Sequence, residues 1–178
     1  MAVSQFNLAD KQRAERKLLI TVAEWTEGTS SVREILGTRT EDSSIEYNAD
    51  IETTTDIRGI NYTDVNRTQP QQTFDPFLVL GGSKLGAKLN NIRRRNAISE
   101  LSQFTMYVIT AFVGTAGAYE AECHENCTIA YTAMGGDSNV NFPIEVYYSN
   151  DYNGTGAPGL GTVDKLSDDF TFTPASVG

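Results

Sequence analysis

The segment Cys123-His124-Glu125-Asn126-Cys127 gathers two thiols and an imidazole within five positions, the donor types that zinc takes. On an extended strand, however, positions 123 and 127 stand about 13 Å apart at roughly 3.3 Å per residue, too far for one ion or one disulfide. These are the chain's two cysteines and its single histidine, so a second ligand pair does not exist. The expectation is two buried thiols in a reducing compartment, with no metal and no cofactor.

Acid chemistry has a second candidate in Glu120 and Glu122, which alternate with Tyr119, Ala121 and Cys123. Paired carboxylates serve hydrolases, but acids on an exposed strand face far more often do nothing catalytic. Gly81-Gly82-Ser83-Lys84 has the look of a phosphate loop without its first glycine or a clean preceding strand, and no G-x-S-x-G elbow occurs. No catalytic residue is assigned. Tyr147, Tyr148 and Tyr152 beside a Gly-rich loop offer a stacking platform, so a monomeric β-sandwich carbohydrate-binding module is an alternative.

The elements that must position these residues read mainly as strands. Lys17 to Trp25 is a largely buried strand ended at Glu27-Gly28. Ser44 to Ile57 alternates Ile45, Tyr47, Ala49 and Ile51 with Glu46, Asn48, Asp50 and Glu52, which predicts one long strand with a dry face and a wet, acidic one. A reversal at Arg58-Gly59 leads it into a hairpin with residues 60–65. Asp75-Pro76 is a helix start stopped by Gly81-Gly82, and Ser83 opens a longer helix over Lys84 to Arg95. That helix carries Leu85, Leu89 and Ile92 on one face and Lys84, Lys88 and Arg95 beside it, with Arg94 also in its last turn.

Beyond the helix, Phe104 to Val113 is apolar on both faces, as in a central strand covered twice. Tyr119, Ala121, Cys123, Cys127, Ile129, Tyr131 and Ala133 are expected on one face of the next strand, with Glu120, Glu122 and His124 opposite. Phe142 to Tyr148 follows as a strand, residues 150–161 as a Gly- and Asn-rich loop, and Asp169 to Thr173 as a last short strand.

At 178 residues the chain suits one domain, 1–178, with an N-terminal arm over 1–16, a β core over 17–149 holding the helix near 83–95, and a loop and C-terminal segment over 150–178. Its formal net charge is -9. Residues 1–95 hold thirteen basic and thirteen acidic side chains, whereas residues 96–178 hold one base, Lys165, against ten acids. Such a chain disfavours a grip on nucleic-acid phosphates, while its balanced half can supply cations to a neighbour's acidic half. The absence of an apolar leader or membrane-length run points to assembly in the cytoplasm and to no membrane partner.

Thr53-Thr54-Thr55-Asp56-Ile57-Arg58-Gly59-Ile60, then Thr68-Gln69-Pro70-Gln71-Gln72-Thr73-Phe74-Asp75-Pro76-Phe77, then the helix ending Arg93-Arg94-Arg95-Asn96-Ala97 resembles the tail tube (major tail) proteins of long-tailed bacteriophages. The resemblance spans about residues 17–148 and rests on the order and composition of these segments. It implies a mainly β fold with one helix, a β-sandwich or half-barrel whose strands complete a barrel in a hexameric ring. It further implies rings that stack into a virion tail tube, with tape measure, tail terminator and baseplate or tip proteins as partners. DNA would pass through without specific binding, repelled by an acidic lumen for which Glu46, Asp50, Glu52, Glu120 and Glu122 are the candidates. Lys84, Lys88, Arg94 and Arg95 are the inter-subunit candidates. A tube of a phage-derived contractile injection particle or bacteriocin fits the same pattern.

Overall fold

Alternating apolar residues and frequent turns set up an antiparallel sheet, and the computed structural model describes it over residues 6–176. The strands are β1 (Leu19–Glu27), β2 (Ser30–Ile35), β3 (Ile45–Glu46), β4 (Asp50–Thr55), β5 (Asn61–Arg67), β6 (Gln71–Phe74), β7 (Phe104–Thr115), β8 (Ala118–Tyr131), β9 (Ile144–Tyr147), β10 (Gly159–Val163) and β11 (Phe172–Pro174). The one α-helix among the described residues, α1 (Lys84–Arg95), lies between β6 and β7 and is followed by a short 3-10 turn over Ile98–Ser102. Nine strands form one antiparallel sheet in the order β2-β1-β7-β8-β9-β6-β3, with β10 and β11 added beside β8. Among the described residues, strands β4 and β5 pair only with each other. Of the expected N-terminal arm, residues 1–5 lie outside the described part, as do 177–178 at the other end.

The sheet folds over itself because β8 changes partners along its length. Glu120 and Glu122 pair toward β10, whereas Thr128 to Tyr131 pair with β9. From there β9 and β6 return over β1, and the two layers are joined by a buried polar cluster. Thr21 Oγ1 and the Tyr148 hydroxyl both donate to Gln72 Oε1, at 3.0 and 2.6 Å, and Gln72 Nε2 donates to Ser43 Oγ at 3.0 Å.

Strands β1, β7 and β8 are covered on both faces, as the apolar run in Phe104 to Val113 requires. Ala23, Met106 and Val108 face a core completed by Phe74, Phe142, Ile144 and the helix residues Leu85, Leu89 and Ile92. Those three helix side chains are wholly buried, and truncating any of them to Ala costs about 2–5 kcal/mol. Val22, Tyr107, Ile109 and Cys123 face a second core closed by Val163 and Phe170 of the C-terminal segment. The helix starts where the sequence places it, with Ser83 Oγ accepting Gly86 N, and ends at Asn96 in the left-handed region.

Four expectations are corrected. The single strand over Ser44 to Ile57 is broken: Asn48 takes φ 42°, its amide donates to Gln69 O at 3.1 Å, and the register slips between Asp50 and Ile51. Its intended dry face does not form, since Tyr47 and Ile51 are 57% and 60% exposed. Residues 75–82 are not helical, because Asn141 Oδ1 accepts from Phe77 N at 2.9 Å and Asn141 Nδ2 donates to Asp75 Oδ1 at 2.9 Å, tying this segment to the far loop. Cys123 and Cys127 lie in different cores, because Asn126 at φ 58° switches the face that β8 presents. Finally, β10 occupies the end of the expected 150–161 loop. Its Gly159 and Gly161 are needed because a Cβ there would stand 2.5 Å from the Tyr152 ring and 2.4 Å from Thr173 O.

Candidate assembly surface

A two-stranded ribbon standing alone in water is marginally stable, and this chain carries one. Every residue of β4 and β5 is exposed. The ribbon's period of two gives it two unlike faces: Ile51 opposes Val65 on one, and Glu52 opposes Asp64 on the other. Ile51 and Val65 are each 60% exposed, an apolar pair with no cover. Like charges directly opposite each other repel, and among the described residues Glu52 receives only a neutral bond from the Asn66 amide at 3.3 Å.

The turn that closes this hairpin is built on Asp56. Its Oδ1 accepts Arg58 N at 2.8 Å and Ile60 N at 3.0 Å, while Gly59 takes φ 75° as the reversal demands. The bond from Ile60 N, then those from Arg58 and the Tyr62 hydroxyl, hold the Asp56 carboxyl below the usual aspartate range. The tip therefore presents Ile57 and Ile60 in one set conformation, both exposed. The sequence reading found the reversal at Arg58-Gly59 and missed its clamp. An Asp three residues before a Gly between β-prone runs is the signal that marks it.

The acidic candidates fall in two places. Asp50 and Glu52 belong to the hairpin, Asp50 facing Arg67 across a 3.9 Å ion pair. Glu46 belongs to the two-residue strand β3 at the end of the main sheet, and Glu120 and Glu122 to β8. Glu46, Asp50 and Glu52 thus do not line one continuous face, which corrects the expectation from their alternation. Glu122 Oε2 approaches Nε2 of the buried His124 at 3.4 Å, and its charge, after burial, helps raise the Tyr47 hydroxyl pKa.

Most of the basic candidates are engaged within the chain. Lys84 pairs with Asp168 at 3.0 Å, while Lys88 and Arg95 converge on Glu100 at 2.7 and 2.9 Å. The Lys88 bond first, then Arg95, holds the Glu100 carboxyl below its ordinary range. Arg94 stands apart: it is exposed and has no hydrogen bond or ion pair among the described residues. The N-terminus of α1 is occupied by Glu34, which accepts Ser83 Oγ at 2.9 Å and Leu85 N at 2.7 Å, so a carboxylate already sits where a phosphate would enter at Gly81-Gly82-Ser83-Lys84.

The thiols are withdrawn from chemistry. Burial pushes Cys123 up to about 12 and raises Cys127 as well, leaving few thiolates at neutral pH. Among the described residues no three His, Cys, Asp or Glu side chains gather as a metal site. The tyrosine platform is not assembled either: Tyr148 is buried on Gln72, Tyr152 packs on Phe172, and Tyr147 is bonded to Glu145 and exposed. No helix among the described residues is long and apolar enough to cross a membrane. Comparison with known proteins yields no match, whether to a family model, a curated protein or a solved structure.

Proposed function

We propose that the protein is a structural subunit that assembles head to tail into rings, hexameric as in the tail tube proteins it resembles, and that these rings stack into a tube conducting DNA. The observation that carries this reading is the β4–β5 hairpin, exposed on both faces and closed by a pre-set tip. A projecting element that docks on a different surface of the next copy makes a heterologous contact, and such contacts generate rings or filaments instead of closed pairs. In this reading the virion tail is its location, and the tape measure, terminator and tip proteins meet the tube's interior and ends. The lumen acids come from the main sheet, Glu46, Glu120 and Glu122, whereas Asp50 and Glu52 stay with the hairpin.

The test is to replace residues 50–67 by a short Gly-Ser link and compare both proteins by light scattering after size exclusion and by electron microscopy. Wild-type protein is expected to give rings or tubes with rising concentration, and the shortened chain monomers with an unchanged sheet signal in circular dichroism. A wild-type chain that remains monomeric at millimolar concentration, or a shortened chain that still forms rings, refutes the reading.

A further inference from the structure

Two of the places where charges lack an opposite-charge partner among the described residues carry opposite sign and an exposed apolar border. On the hairpin, Glu52 and Asp64 face each other with no cation at either carboxylate, and Asp64 has no partner among the described residues. The same ribbon face carries Tyr62, 47% exposed, two positions from Asp64. At the C-terminal end of α1, Arg93 is bonded only to the neutral Asn90 and Arg94 to nothing described. Just beyond them Ile98 is 60% exposed, so the arginines border an apolar spot as the acids border Tyr62.

We infer that the acidic face of the β4–β5 hairpin docks on the Arg93-Arg94 end of α1 in a second copy of the chain, with Tyr62 lying against Ile98. This rests on the head-to-tail reading above and names its two surfaces. Docking brings guanidinium donors to two carboxylates that otherwise repel each other, so one contact removes a cost present in the free subunit. Planar guanidinium groups also stack on an aromatic ring, which gives Tyr62 a role beside the acids. The second copy is the occupant because the two patches match in sign and in their apolar borders while neither is satisfied within its own chain. Lys84, Lys88 and Arg95 are not part of the contact, since Asp168 and Glu100 already hold them.

The test is a charge swap read by the concentration at which half of the full-length chain is assembled. Glu52→Lys with Asp64→Lys, all at exposed positions, is expected to raise that concentration at least tenfold while circular dichroism stays native. Arg93→Glu with Arg94→Glu is expected to do the same alone, and the four changes together to restore assembly to within about threefold of wild type. Raising salt should weaken wild-type assembly, as screening of a charged contact requires. If wild type assembles but the hairpin pair has no effect, or the fourfold swap restores nothing, this docking is wrong and the ring reading survives. If wild type does not assemble under any condition, the ring reading falls and the docking with it.

Discussion

Replacing Gln72 by Met keeps the side-chain volume and removes the groups that join the two layers of the sheet. Gln72 is 1% exposed, and its carbonyl oxygen is the acceptor for both Thr21 Oγ1 and the Tyr148 hydroxyl. Thr21 and Tyr148 are 3% and 8% exposed, so water does not readily replace the lost acceptor. An unsatisfied buried donor costs about 1–3 kcal/mol. Two of them would cost about 2–6 kcal/mol, and because a threonine hydroxyl can rotate toward another acceptor, we expect about 2–4 kcal/mol. At roughly 2–4 °C per kcal/mol for a chain of this size, the midpoint should fall by about 4–16 °C. Trp25, the single tryptophan, is buried edge-on against Phe104 and reports unfolding by fluorescence in urea. Adding Tyr148→Phe to the Met variant removes one orphaned donor and should recover about 1 kcal/mol or more, a coupling that independent sites would not show. A Gln72→Met protein within about 1 kcal/mol of wild type, or strictly additive changes in the pair, would refute the view that this cluster joins β6 to β1.

Two further outcomes are expected. Because Asp56 is held below its unfolded value, its stabilisation of the hairpin tip is fully present above the unfolded aspartate pKa of about 3.9 and is lost as pH falls through the lower folded value. The Arg58 and Ile60 amide resonances should therefore keep their native shifts at pH 5 and move only in stronger acid, while Asp56→Ala should move them at every pH; shifts insensitive to both changes would remove Asp56 as the clamp. If the proposed tube reading holds, Glu46→Lys with Glu120→Lys should make assembled tubes retain short DNA in a salt-dependent way, and tubes with both changes that retain none would place these residues away from the proposed lumen.

What the sequence determined by itself is local. Leu85, Leu89 and Ile92 at helical spacing behind Ser83 suffice for α1 and its buried face, and the two-sided apolar run from Phe104 requires a strand covered twice. The reversal at Arg58-Gly59 was legible for the same reason, since a turn is made by its own few residues. Tertiary structure decided whatever depends on a distant partner. Alternation in residues 44–57 predicts a dry face only if something comes to cover it, and here the chain leaves the sheet at Asn48 and nothing among the described residues does. Asp75-Pro76 has the composition of a helix start, yet Asn141, remote in sequence, takes the groups that a helix would have used. Periodicity cannot register the switch at Asn126 that sends Cys123 and Cys127 into different cores, nor can it tell that Lys84, Lys88 and Arg95 meet Asp168 and Glu100 while Arg94 meets nothing described. A charge's availability to another molecule depends on which side chains the fold has already brought to it: Asp168 reaches Lys84 from 84 positions away, and Glu100 meets Lys88 and Arg95 only because the chain turns back at Asn96 beyond the helix end.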